Sequence, residues 1–159
     1  MNLTWTQAFN GAQILGDELW KRHCTEHLPV HILIGRGGLA LGSLLVRFCN
    51  LKNVHYLPIA VRESTILLPL KPHFVHWVSA LEVASTIYLI DDIYDSGRTM
   101  EYVAEEIVNR GYNAKLVAVT LCTRMSARFR RGDHLVAHNI THKNYIYFPW
   151  EMYDPLHSS

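Results

Sequence analysis

The stretch Ile90-Asp91-Asp92-Ile93-Tyr94-Asp95-Ser96-Gly97-Arg98-Thr99-Met100 decides the reading of this chain. It continues from Thr86-Ile87-Tyr88-Leu89-Ile90, a nearly unbroken apolar run of the kind found in parallel strands covered on both faces. That strand runs straight into two adjacent carboxylates, then a third, then a small polar turn. A helix over Met100 to Asn109 follows, with Gly111 well placed to end it. The turn has a legible chemistry. The backbone N–H groups of Ser96 to Thr99, the Ser96 and Thr99 hydroxyls and the positive helix N-terminus together make a cradle for a phosphate. Gly97 lets the backbone come close. Carboxylates beside a phosphate site accept from sugar hydroxyls, with Mg²⁺ offsetting the repulsion. The plainer alternative is that Asp91 and Asp92 cap a helix and Ser96-Gly97 forms a simple turn. Three acids and a phosphate-type turn in so few positions favour the ligand reading.

Outward from this segment, strands alternate with helices. Thr4 or Thr6 can cap a helix running to about Cys24, with Phe9, Ile14, Leu15, Leu19 and Trp20 at helical spacing. Val30 to Ile34 is a short buried strand ending at Gly35, Gly37 and Gly38, and Leu39 to Cys49 is a helix with an apolar face. Val54 to Val61 and Lys115 to Thr123 are further strands. Two weaker ones are expected near Leu135 to Ala137 and Tyr145 to Phe148. This order argues for a mostly parallel α/β sheet flanked by helices, with right-handed crossovers and ligands beyond the carboxyl ends of the strands. Nothing in the chain reads as a linker or a repeat, so residues 1–159 form a single domain.

Composition narrows the function classes. The chain has 159 residues, 49% of them hydrophobic and 18% charged, with a formal net charge of +1. That balance fits a globular protein and lacks the basic excess of a dedicated nucleic-acid binder. Apolar runs are too short to span a bilayer, and Met1 to Gln13 has no basic region followed by an apolar core, so neither a span nor a signal peptide is expected. Cys24, Cys49 and Cys122, odd in number and without a CxxC pair, read as reduced thiols of a cytoplasmic protein.

The acidic run closely resembles the phosphoribosyl pyrophosphate motif of type I phosphoribosyltransferases, a hydrophobic strand followed by D-D-x-x-D-T-G-x-T; Ser96 stands where the threonine is usual. The resemblance implies that Asp91 and Asp92 hold the ribose hydroxyls and Mg²⁺, and that Asp95, Ser96, Gly97, Arg98 and Thr99 wrap the 5′-phosphate. Upstream, Gly35-Arg36-Gly37-Gly38-Leu39 is similar to the pyrophosphate loop of bacterial xanthine-guanine and hypoxanthine phosphoribosyltransferases. This implies a pyrophosphate clamp at Arg36 and Gly37, with a cis peptide expected between them. By itself such a turn is only a βα connection with an arginine.

Near the C-terminus, Tyr145-Ile146-Tyr147-Phe148-Pro149-Trp150-Glu151 resembles the W-I-x-F-P-W-E/D segment of the same subgroup. Tyr145 would then stack on the purine, though over less area than tryptophan, and the backbone from Ile146 would read its edge. Tyr147 and Trp150 are as readily core-packing aromatics. Arg124 stands nearest the position of a lysine that donates to the purine 6-oxo group; a solvated arginine is the alternative.

The implied fold is a type I phosphoribosyltransferase domain with a small C-terminal base-binding hood. The implied partners are phosphoribosyl pyrophosphate and a purine, with Asp95 handling a proton on the imidazole ring, in a homo-oligomer (dimer or tetramer). A nucleotide-binding regulator without turnover and an enzyme for another base, such as adenine, stay open.

The segment between Val61 and Ala84 departs from the family. It is apolar and aromatic where a polar, basic closing loop is expected, with Arg62 and Lys71 its only cations. His134, His138 and His142 recur every four residues, but their strand-like surroundings break the helical geometry a metal site would need. Arg124, Arg128, Arg130 and Arg131 read first as a solvated basic loop, with contact to RNA or to a product phosphate as the lesser alternative.

Overall fold

A computed structural model describes residues 1–59, 61–62, 65–66, 79–124, 127–141 and 144–151. Helix α1 (Trp5–His23) starts at Thr4, whose side chain accepts from the Gln7 N–H while the Gln7 side chain accepts from the Thr4 N–H. This reciprocal capping box satisfies donors the helix cannot satisfy itself. Strand β1 (Val30–Ile34) leads directly into α2 (Gly35–Cys49), then β2 (Val54–Leu57). A small antiparallel pair, β3 (Val61–Arg62) and β4 (Thr65–Ile66), comes next. Strand β5 (Thr86–Tyr94), helix α3 (Arg98–Asn109), β6 (Lys115–Arg124) and β7 (Gly132–Ile140) complete the order.

The main sheet runs β2-β1-β5-β6-β7 with every neighbouring pair parallel. Two apolar layers enclose it. One joins α1 and α2 to the sheet through Leu15, Leu19, Leu41, Leu45, Tyr88 and Val119. The other joins α3 to the opposite face through Val103, Ala104, Ile107, Ile87 and Leu89. Among the described residues no helix is long and apolar enough to cross a membrane.

Several local expectations change. The acidic run is not a loop from its start: β5 continues through Asp91 and Asp92 to Tyr94, with Asp91 opposite Thr120 and Tyr94 opposite Thr123. The long apolar strand β6 supplies backbone partners that far. Strand β2 stops at Leu57 rather than Val61, because Pro58 has no N–H to give a ladder. Tyr145 to Phe148 forms no strand in the sheet; it joins the chain's start through a parallel bridge between Asn2 and Tyr147.

On α1 the packed face is Ala8, Gly11, Ala12, Leu15, Gly16 and Leu19, while Phe9, Ile14 and Trp20 are exposed. A Cβ on Gly16 would stand 2.4 Å from that of Phe48, so small residues set how closely the helices approach. The unusual 61–84 segment lies mostly outside the described residues, as does His142. His134 and His138 sit on β7 and bond to the Thr120 hydroxyl (2.8 Å) and the Gln7 carbonyl (3.3 Å). No group able to hold a metal through three or more His, Cys, Asp or Glu side chains occurs among the described residues.

The three cysteines are free thiols. Burial pushes Cys49 up to about 11; burial, with the nearby Asp92 charge, pushes Cys122 up to about 12.

At the amino end of the sheet, His31 is wholly buried on β1. Its Nδ1 lies 2.6 Å from the Lys52 carbonyl and must therefore carry the proton, which leaves Nε2 to accept from His23 Nε2 at 3.0 Å. The ring stacks on Tyr88, whose hydroxyl donates to Glu26. Burial, with His23 and His55 nearby, lowers His31 to about 4, against a partial offset from the Lys52 carbonyl. The folded state therefore requires a neutral ring. Stability from this site is complete above the unfolded pKa of about 6.5 and is lost as pH falls toward 4, by about 3 kcal/mol in all. Urea unfolding of the wild type and His31→Gln at pH 7.5 and 4.5 checks this. The wild type should lose more stability on acidification than the variant; an equal loss would count against a neutral His31.

Candidate functional site

The carboxyl end of the sheet is built by one close approach. Helix α2 begins at Gly35, immediately after β1, and its first turn lies against the end of β5. A Cβ on Gly37 would sit 2.3 Å from the Asp92 carboxyl carbon, and one on Gly38 would sit 2.3 Å from the Ile90 carbonyl oxygen. Only glycine fits at either position. The Gly35-Arg36-Gly37-Gly38 run is therefore helical from its first residue instead of an open turn, and the peptide bond between Arg36 and Gly37 is trans, not cis. Arg36 is exposed on this first turn.

Asp91 and Asp92 share this end. Asp91 accepts from the Asp92 N–H at 2.9 Å and from the Gly38 N–H of α2. Asp92 is buried, and its Oδ2 accepts from the Trp150 indole N–H at 3.0 Å. Burial raises the Asp91 carboxyl well above the usual carboxylate range, and the neighbouring Asp92 charge adds to this against the pull of the two N–H donors. Burial likewise raises Asp92 to about 6, with Trp150 pulling it down and Glu151 pushing it up. Each carboxyl raises the cost of charge on the other, so two adjacent acids share one end of the sheet.

The 96–99 turn opens helix α3 beside the acids. Gly97 takes the left-handed conformation (φ 77°) as the N-cap of α3, with no side chain capping the helix. A Cβ there would also strike the Tyr94 ring at 2.4 Å, so glycine is required twice over. Around it, Asp91, Asp95, Ser96, Arg98 and Thr99 line a cavity of about 140 Å³. The arrangement leaves the α3 N-terminus open toward an anion.

Asp95 and Arg124 form an ion pair across the ends of β5 and β6. Arg124 Nη2 also donates to the Asn144 carbonyl at 3.4 Å, which ties β6 to the foot of the hood. In the hood, Ile146 and Phe148 are buried while Tyr145 and Tyr147 are exposed, their rings 4.8 Å apart. The chain's start holds this segment in place. The Met1 ammonium donates to the Tyr145 carbonyl (2.8 Å), the Tyr147 N–H to the Met1 carbonyl (2.9 Å), and the Leu3 N–H to the Tyr147 carbonyl (2.9 Å). Burial raises the Tyr145 phenol to about 12, with Glu151 adding to it.

The structure thus gathers Arg36, Gly37, Asp91, Asp92, Asp95 and the 96–99 turn around one end of the sheet. Tyr145 and Ile146 are linked to them through Trp150 and Arg124. Sequence reasoning left Trp150 open between the hood motif and core packing; its indole stacks on Phe148, and its N–H is spent on Asp92. It also passed over Tyr94, the wall behind Gly97. Its only sequence signal is a bulky aromatic three residues before a glycine that must come close to it.

No protein-family model matches the chain, and no curated protein sequence matches it. Solved structures do. A purine phosphoribosyltransferase from Pyrococcus horikoshii superposes with a TM-score of 0.70 at 21% identity, over 94% of this chain and 92% of its own. A xanthine-guanine-hypoxanthine phosphoribosyltransferase from Helicobacter pylori gives 0.64 at 20% identity, over 95% and 92%. A hypothetical protein from Neisseria gonorrhoeae with bound ppGpp gives 0.72 at 16% identity, over 96% and 89%. The all-parallel five-stranded sheet, its flanking helices and this likeness along nearly the whole chain identify the fold as that of the type I phosphoribosyltransferases.

Proposed function

We propose that the protein transfers ribose-5-phosphate from phosphoribosyl pyrophosphate to N9 of a 6-oxopurine (guanine, hypoxanthine or xanthine), releasing pyrophosphate. The observation that carries this reading is the convergence of an acid pair, an open phosphate cradle and an aromatic hood on one end of the sheet. The hood is joined to the acids by the Trp150–Asp92 hydrogen bond.

In this reading the Ser96 to Thr99 turn holds the 5′-phosphate, and Asp91 and Asp92 orient the ribose hydroxyls. Arg36 and the Gly37 N–H meet the pyrophosphate. The acid pair also fits Mg²⁺, a hard cation that takes one or two carboxylates and completes its shell with substrate phosphate oxygens. Bound there, Mg²⁺ would offset the charge of the leaving pyrophosphate. As the C1′–oxygen bond lengthens, positive charge develops at the ribose C1′, and fixed carboxylates and precise placement lower the barrier. Asp95 is the acceptor for the purine imidazole proton, and Arg124, its ion-pair partner, is the donor to the 6-oxo group. Tyr145 supplies the stacking face. The free thiols fit a cytoplasmic protein. Exposed Trp5, Ile14, Trp20 and Val46 on α1 and α2 support a homo-oligomer, a dimer or tetramer.

A second reading, a nucleotide-binding regulator without turnover, is favoured by one observation. Both acids are already engaged, Asp91 by the Gly38 N–H and Asp92 by Trp150. The same fold in a protein holding ppGpp fits that reading.

Pyrophosphate release with phosphoribosyl pyrophosphate, Mg²⁺ and a panel of bases separates the readings. Turnover is expected with a 6-oxopurine and not with adenine, whose 6-amino group offers Arg124 no acceptor, a roughly hundredfold handicap. Turnover with adenine alone would overturn the base assignment, and none with any base would favour the regulator.

The double variant Asp91→Asn, Asp92→Asn should lose transfer yet fold at least as stably as the wild type. A carboxyl raised in the folded state costs stability as pH rises from its unfolded pKa through the folded one, and the amide removes that cost, about 1–3 kcal/mol near neutrality. Activity and thermal melting on the same preparation check both halves. A fully active or unfolded variant would contradict the assignment.

A further inference from the structure

A second cavity adjoins the phosphate cradle. It measures about 560 Å³ and is lined by Tyr94, Ser96, Arg98, Glu101, Arg128 and Arg130, with Asp95 at its rim. Tyr94, Asp95, Ser96 and Arg98 line both cavities, so the two share a wall.

Its far wall is formed by residues 127–130, ahead of β7. Phe129 is buried there and meets the Tyr94 ring edge-on. With Phe129 inward, its neighbours Arg128 and Arg130 are exposed, and both line the cavity. The backbone beneath them is fixed. The Tyr94 hydroxyl donates to Glu101 (2.6 Å) with the Arg128 carbonyl 3.1 Å from the same oxygen, and the same Glu101 oxygen accepts from the Arg130 N–H at 2.8 Å. Neither guanidinium is in an ion pair among the described residues, whereas the rim acid Asp95 is already paired with Arg124. Two planar, donor-rich cations on a fixed backbone, facing a cavity of this size, suit a phosphate group.

The geometry points to a second phosphate subsite, formed by Arg128 and Arg130, that seats the β-phosphate of a nucleoside 5′-diphosphate whose α-phosphate occupies the Ser96–Thr99 cradle. The inference rests on that cradle reading and deepens it. A nucleoside monophosphate and phosphoribosyl pyrophosphate each carry one phosphate at the 5′ position, so neither reaches the arginines while its 5′-phosphate sits in the cradle. A nucleoside 5′-diphosphate reaches both cavities and competes with phosphoribosyl pyrophosphate. The subsite therefore makes the protein sensitive to the phosphorylation level of its nucleotide ligands.

The test is calorimetric titration of guanosine 5′-monophosphate and guanosine 5′-diphosphate, in buffer containing a chelator so that no divalent cation bridges the extra phosphate to Asp91 or Asp92. The wild type should bind the diphosphate roughly ten- to a hundredfold more tightly, the range for charge-assisted hydrogen bonds to one further phosphate. Arg128→Gln with Arg130→Gln should abolish that difference and leave monophosphate affinity unchanged. Both side chains are exposed and the backbone bonds beneath them remain, so the variant should melt as the wild type does. Equal affinities in the wild type, or a preference that survives in the variant, would overturn the subsite and leave the cradle standing. If neither nucleotide binds, the cradle reading fails and the subsite with it.

Discussion

The site depends on how closely the N-terminus of α2 lies over the end of β5. Two glycines permit it: at Gly37 a side chain would collide with the Asp92 carboxyl, and at Gly38 with the Ile90 carbonyl. The approach brings a helix N-terminus, with its unsatisfied donors, onto two adjacent acids. It also buries Asp92 and half-buries Asp91, and this desolvation is the largest cause of their raised pKa values. A packing constraint and an electrostatic one therefore have the same origin. The acids are held in place where their charge is costly, which makes the site receptive to a cation or to hydroxyl donors.

That end of the sheet is tied together from three directions. Trp150 reaches Asp92 from the hood, Arg124 joins Asp95 to the Asn144 carbonyl, and Tyr94 stands behind Gly97. The hood itself has few partners of its own. Its backbone is held by Met1 and Leu3, so the two ends of the described chain close on one another. A change at the N-terminus should therefore be felt at the 145–148 segment before it is felt in the sheet.

Much of this was legible in the sequence, and what was not has physical reasons. Val30–Ile34 and Lys115–Thr123 read as strands because nearly every residue is apolar, as two-sided burial demands, and the Ser96-Gly97 turn read as a helix start from its small polar residues. Strand β5 was read short because two aspartates look like an ending; what prolongs it is β6, a partner invisible to a local reading. The α1 face was misjudged because hydrophobic size was weighed above smallness. Ala8, Gly11, Ala12 and Gly16 carry the helical period of the packed side, while Phe9, Ile14 and Trp20 do not. For the site, the gathering of the acids and the 96–99 turn at the carboxyl end of the sheet was legible from residue type and order, and the 145–151 segment was singled out by resemblance. The Trp150–Asp92 and Arg124–Asp95 contacts were not, because each joins residues far apart in the chain.

The central claim is that the acid pair and the cradle act as one site completed by a divalent cation. The most direct measurement is the thermal midpoint of the protein with Mg²⁺ alone, phosphoribosyl pyrophosphate alone, and both together, since a ligand that binds only the folded state raises it. The account predicts a shift with both that exceeds the sum of the separate shifts, because the cation relieves the charge that the diphosphate would otherwise meet at Asp91 and Asp92. Additive shifts, or no response to phosphoribosyl pyrophosphate at millimolar concentration, would contradict it.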